Sequence, residues 1–317
     1  LVRAVLTYGF GLLSLESIAL PLLAMLHLGL TANQVYATWV EPFRGSVTSI
    51  EISSSKLRGQ DSILVLHISD IHFEGWTPRD RWLIETAREL EPDMIALTGD
   101  YLNLSTVRDR ASQEGVREIL SSLASIAPTY AVTGSIPVDP PDLVPAIFDG
   151  IPIKWLIDKA ISVQIGDQQI SLIGVSCTRE RHLDGPRLKR IVTDHSDKAF
   201  QILLYHSPDL MPEAKELGID LYLAGHTHGG QLCLPLFGAI ITSSDFGKKY
   251  EGGLYQEEST TLYVSRGLGM EGLGAPRARF LAPPEVGALT LRTDAAGLDG
   301  SPEAELTASQ HPGGAQC

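Results

Sequence analysis

The chain has 317 residues, with 25 Lys and Arg against 38 Asp and Glu, a formal charge of −13. That balance repels phosphate backbones and argues against extended nucleic-acid binding. The length allows one large α/β unit with extensions. The three cysteines, Cys177, Cys233 and Cys317, are too few and too scattered for a disulfide framework or a CxxC zinc site.

Residues 4–30, AVLTYGFGLLSLESIALPLLAMLHLGL, are long enough to cross a bilayer as a helix. Glu16 costs roughly 3 kcal/mol near the middle, against about −6 kcal/mol from thirteen Leu, Ile, Val and Phe. Insertion wins on that balance, with Pro21 tolerated as a kink. A buried amphipathic helix and a signal peptide are the alternatives. No A-x-A cleavage pattern follows the stretch, so a single anchor over residues 1–32, holding the protein at the cell membrane, is the expectation. Arg3 before the stretch and Arg44 and Lys56 after it favour neither orientation. Residues 33–61 read as a linker and lead-in.

From residue 62 short apolar runs alternate with polar helical stretches, the pattern of a layered α/β fold. SILVLHIS (62–69) is nearly continuous Ile, Leu and Val, as in a strand buried on both faces. A helix at about 80–90, the strand DMIALTG (93–99), a helix over 112–124 and the strand TYAVTG (129–134) follow. After a Pro-rich turn and a short helix near 143–148, ISVQIG and QQISLIGVS read as a hairpin joined at Asp167. Helix-like GPRLKRIVTD leads to the strand FQILLYHS (200–207), then PDLMPEAKELG, then the strand IDLYLAGHTH (219–228). TTLYVSRG (260–267) and VGALTLR (286–292) are the last predicted strands. Two β-rich sheets flanked by helices follow from this order. The tail 293–317, rich in Ala, Gly, Ser, Pro and acid, cannot bury enough surface to offset its ordering and is expected to be disordered.

Functional groups of open α/β sheets gather at the carboxyl ends of strands. Here apolar runs lead directly into Asp70 and His72, Asp100, His206, and His226 and His228. Singly, each has an ordinary use as a turn former, helix cap or core histidine. Together they form a set of carboxylates and imidazoles that suits Mn²⁺, Fe²⁺ or Zn²⁺. A carboxylate shared by two such ions holds them about 3.5–4 Å apart, and a hydroxide between them can attack phosphorus in line with the leaving group. Asp100 is the bridging candidate.

In that order D-x-H (Asp70, His72), G-D (Gly99, Asp100), a lone strand-end His (His206) and G-H-T-H (Gly225 to His228) resemble the calcineurin-like metallophosphoesterases, over roughly residues 62–292. GHTHGGQ, with the segments after it, is similar to the bacterial membrane-associated branch, which includes hydrolases of UDP-2,3-diacylglucosamine. The resemblance implies a four-layer α/β/β/α sandwich of two mixed sheets flanked by helices, and two divalent ions. Asp70, His72, Asp100 and His228 would hold the first ion, and Asp100, His206 and His226 the second. It also implies hydrolysis of a phosphodiester or pyrophosphate bond in a phosphate-containing small molecule or lipid.

The family's G-N-H motif falls on Gly134, Ser135 and Ile136. Ser135 offers a short hydroxyl, which reaches an ion only through water or a shifted backbone, and Ile136 has no acid–base chemistry. Asp100, His226 and Ser135 are therefore the residues nearest the chemistry. Asp139 is either a substitute ligand or acid, or a surface turn residue. Gly229 and Gly230 either admit a phosphate to the backbone or simply turn the chain. Arg266, Arg277 and Arg279 either clamp phosphate or form a solvated face, and Trp76, Trp82 and Trp155 read as packing residues. A non-catalytic relative that binds a phosphate-bearing ligand is the competing function. A nuclease is disfavoured by the charge and the lack of a basic stripe.

Overall fold

A computed structural model describes residues 15–58, 61–195, 199–270 and 276–294. The first half of the predicted anchor and nearly all of the predicted tail lie outside the described residues. Along the chain the strands are β1 (Ser46–Ser54), β2 (Ile63–Ile68), β3 (Met94–Leu97), β4 (Thr129–Ala131), β5 (Ile153–Trp155), β6 (Lys159–Ile165), β7 (Gln168–Gly174), β8 (Phe200–Leu204), β9 (Leu221–Ala224), β10 (Cys233–Leu234), β11 (Gly238–Ala239), β12 (Gly253–Glu257), β13 (Thr260–Val264) and β14 (Glu285–Thr293). One sheet runs β1-β14-β2-β3-β4-β5 and the other β12-β13-β9-β8-β7-β6, while β10 and β11 form a small ribbon. Both large sheets are mixed: β2 to β5 are mutually parallel with β14 antiparallel to β2, and β7, β8, β9 and β13 are parallel between antiparallel β6 and β12.

The period of two along each strand explains the apolar runs, because both faces of each sheet are covered. Leu66 and Ile68 of β2, with Ile95 and Leu97 of β3, face the helices Pro78–Leu90 and Arg110–Ile126, which supply Leu83, Val116, Ile119 and Leu120 to one core. Val65, Met94 and Ala96 point the other way and meet Phe200, Ile202, Leu221 and Leu223 of the second sheet. Leu203 and Tyr222 turn outward to a third core with Leu188 and Ile191 of the helix Arg181–Asp194 and Met211 and Ala214 of the helix Met211–Glu216. Three cores between four layers make the α/β/β/α sandwich that the motifs imply.

The lead-in departs from its sequence reading. Within 33–61, β1 pairs in parallel with the whole of β14 and puts Ile50 and Ile52 into the inter-sheet core. Its other face, with Val47, Ser49 and Glu51, is exposed, which hid the strand in the sequence.

The helix Leu15–Val35 stands apart from the sandwich. Every side chain from Ala19 to Val35 is exposed, Leu20, Leu23 and Leu28 among them. Among the described residues no helix is long and apolar enough to cross a membrane. Residues 4–14 of the span expected over 4–30 lie outside the described residues, and Pro21 and His27 interrupt its described part.

Candidate metal centre

Parallel strands send their carboxyl ends to one edge, and the two sheets do so side by side. The loops after β2, β3, β4, β8, β9 and β13 thus meet there. Asp70 and His72 arrive after β2, Asp100 after β3, Ser135 after β4, His206 after β8, and His226 and His228 after β9. All six predicted ligands are buried. The ligand atoms of Asp70, His72 and His228 lie within 4.8 Å of one another, as do those of Asp100, His206 and His226. Asp100 Oδ2 joins the two groups, 3.2 Å from His206 Nε2 and 3.6 Å from His72 Nε2. A carboxylate shared between the two groups would sit there.

The backbone holds these side chains at close quarters. His72 N donates to the Asp100 carbonyl at 3.0 Å and Asp70 N to the Gly99 carbonyl at 3.0 Å. His226 N donates to both oxygens of Asp70 at 3.1 Å. Ser135 N donates to Asp100 Oδ1 at 2.6 Å. A Cβ on Gly134 would stand 2.1 Å from Asp100 Oδ1, and one on Gly225 2.2 Å from Asp70 Oδ2, so only glycine fits at either place.

Protonation follows from burial and from the neighbours. Burial pushes His206 down, but the carboxylates of Asp100 and Asp70 outweigh it and hold the imidazole well above its usual range. Asp100 is held down by the same pairing, against its burial, whereas burial raises Asp70. Burial, and then the charge of His206, lower His226 to about 3. Burial also lowers His228, helped by His72 and Arg279. His206 Nδ1 faces the Thr98 carbonyl at 2.8 Å and so donates to it, leaving Nε2 to face the cluster.

Does this set fit cations? Asp100 Oδ2 makes no well-aligned hydrogen bond despite its neighbours, and His226 Nε2 is buried with none. Two imidazole nitrogens, those of His72 and His228, face each other at 3.1 Å. Imidazole nitrogens and carboxylate oxygens crowded at such spacing suit nitrogen- and oxygen-binding divalent ions.

Ser135 stands in the second group, its Oγ 3.3 Å from His206 Nε2. Ile136 is 48 % exposed beside it and brings no proton donor. Asp139 is neither a ligand nor a surface turn. It is buried, and accepts from Asp100 N at 2.8 Å, Gly134 N at 2.8 Å and Tyr101 N at 2.9 Å, bracketing the loops after β3 and β4. Burial, then the charge of Asp100, push it up to about 7. Its place in a Pro-rich stretch gave no signal of this role.

The three arginines are engaged with protein groups, and Arg279 Nη2 also faces His228 Nδ1 at 3.4 Å. Arg279 is fully buried and donates to the carbonyls of Arg266, Gly267, Gly269 and Ala282. Arg266 pairs with Glu285, and Arg277 with Glu74. Gly229 and Gly230 do turn the chain, at φ 59° and 77°. Trp82 and Trp155 pack against the helix-side core, while Trp76 stays 40 % exposed.

Known proteins share this pattern. The family described as calcineurin-like phosphoesterase matches residues 63–230. A metallophosphoesterase of Bacillus subtilis, YkuE, is 33 % identical over 81 % of this chain and 89 % of its own length. The phosphodiesterase YaeI of Escherichia coli is 29 % identical over 65 % of this chain and 74 % of its own. The UDP-2,3-diacylglucosamine pyrophosphatase LpxG of Chlamydia trachomatis is 25 % identical over 80 % and 91 %.

Proposed function

The chain belongs to the calcineurin-like phosphoesterase family, and on that premise we propose that it is a metal-dependent hydrolase of a phosphodiester or pyrophosphate bond in a lipid- or nucleotide-linked substrate. The observation that carries the reading is the pair of buried ligand groups joined through Asp100. Asp70, His72, Asp100 and His228 would hold one divalent ion, and Asp100, His206 and His226 a second. Bound there, Mn²⁺, Fe²⁺ or Zn²⁺ would supply charge to the phosphoryl oxygens and a water of lowered pKa.

The chain's own residues set the conditions for that chemistry. Thr98 fixes the ring of His206, His226 N orients Asp70, and Ser135 N orients Asp100. Ile136 cannot protonate a leaving group, so no proton donor stands at that position. The substrate class draws on the relatives named as a phosphodiesterase and a diacylglucosamine pyrophosphatase. Membrane attachment through residues 1–32 is part of the proposal, supported by the apolar helix that finds no partner on the sandwich.

A second reading, a metal- and phosphate-binding relative with little turnover, is favoured by Ser135 and Ile136 alone. One assay separates the two: hydrolysis of bis(p-nitrophenyl) phosphate by the full chain in detergent with Mn²⁺, beside Asp100→Ala and the double variant Ser135→Asn/Ile136→His. The proposal expects turnover in the parent, its loss in Asp100→Ala, and a gain of about 10²-fold or more in the double variant. A parent no faster than Asp100→Ala would sink it, and activity confined to the double variant would establish the second reading.

A further inference from the structure

The ribbon β10–β11 and its flank expose an unusual run of large apolar side chains: Leu234, Leu236, Phe237, Ile240 and Ile241, with Ile241 76 % exposed and Leu236 fully so. A polar turn would serve a solvent-facing ribbon better. The root of the ribbon is tied to the metal centre. Cys233 Sγ donates to the Gly229 carbonyl at 3.0 Å, and Ala239 packs where a Cβ on Gly230 would stand, next to His226 and His228 in the chain.

The same root is tied to the base of the unpartnered helix. Phe280 N donates to the Gln231 carbonyl and Cys233 N to that of Phe280, while Arg279 N donates to the Ala37 carbonyl. Ala282 N donates to Glu41 Oε1 at 2.7 Å. Ala37 and Glu41 lie in the two short turns that end the helix Leu15–Val35. Trp39, 74 % exposed, sits at that junction, where an aromatic ring suits a membrane–water interface. Lys248 Nζ lies 3.7 Å over the Phe237 ring, a cation at the flank of an apolar tip.

We propose that residues 234–241 insert into the lipid bilayer, so that the metal centre opens at headgroup level onto a phosphoester whose apolar part stays in the membrane. The occupant is a bilayer because the apolar chain of residues 1–30 needs one, and its exit point stands beside the ribbon. Apolar burial drives the contact, since a charge of −13 gains nothing from anionic lipid. The inference rests on the membrane-attached reading above and extends it to the orientation of the site and the class of its substrate.

The test is the full chain carrying Leu236→Trp, with Asp167→Trp on the β6–β7 hairpin at the opposite edge as control. Each is mixed with phosphatidylcholine vesicles whose acyl chains are brominated or unbrominated. Flotation reports binding, and the emission added over the parent reports where the new indole sits. The expected result is flotation, with the emission added at 236 falling at least about twofold in brominated vesicles and that at 167 unchanged. Flotation without quenching at 236 overturns the inference and leaves the anchor standing. An unquenched tip in a chain that elutes as a dimer overturns it in favour of a second copy as occupant. Failure to float overturns both membrane proposals, and hydrolysis of bis(p-nitrophenyl) phosphate by the same preparation then decides the phosphoesterase reading separately.

Discussion

Five of the six convergent side chains stand on backbone of positive φ: Asp70 at 51°, His72 at 43°, Asp100 at 55°, His226 at 72° and His228 at 53°. Each such residue costs of order 1 kcal/mol or more, and persists only where its surroundings over-determine it. The glycines packed against Asp70 and Asp100 show what does so. Asp139 is the other brace, and its role was illegible because a lone Asp among prolines looks like any turn residue. Removing it would leave three backbone N–H groups without an acceptor in a buried loop. Asp139→Ala should therefore lower stability by about 3 kcal/mol or more, read from the urea midpoint. A shift under about 1 kcal/mol would mean that the bracket is dispensable. The same change should weaken metal binding without removing any ligand.

Among the elements, the strands buried on both faces were legible because their apolar runs end abruptly in Asp or His. β2, β3, β8 and β9 are of this kind, and the loops that follow them supply all six predicted ligands. β1, β5 and β12 escaped notice for the opposite reason. β1 buries one face only, β5 has three residues, and β12 has no fully buried side chain. β1 nevertheless closes the sandwich against β14, and its inward residues test how much. Ile50→Ala together with Ile52→Ala should cost about 4 kcal/mol or more, measured by chemical denaturation of the full chain. A loss below about 1 kcal/mol would return residues 46–54 to the status of a lead-in.

At the scale of the whole molecule, two mixed sheets bring their parallel strand ends to one edge, and everything chemical in the chain collects there. The sequence carried this far because strand order and strand ends are written in apolar periodicity. It did not carry the packing around the ligands, since Arg277 pairs with Glu74, 203 positions away, and no residue pattern marks the carbonyls that the buried Arg279 meets. The unpartnered helix and the apolar ribbon lie at the same edge, which joins the site to the proposed membrane surface.

The claim on which the account depends is that this edge holds two ions through a shared Asp100. Metal content after equilibrium dialysis against Mn²⁺, measured by mass spectrometry on the full chain and on Asp100→Ala, tests it most directly. The account predicts two ions per chain, one for each ligand group, falling to one or none in the variant. A parent that binds no ion, or a variant that binds as many as the parent, would contradict it.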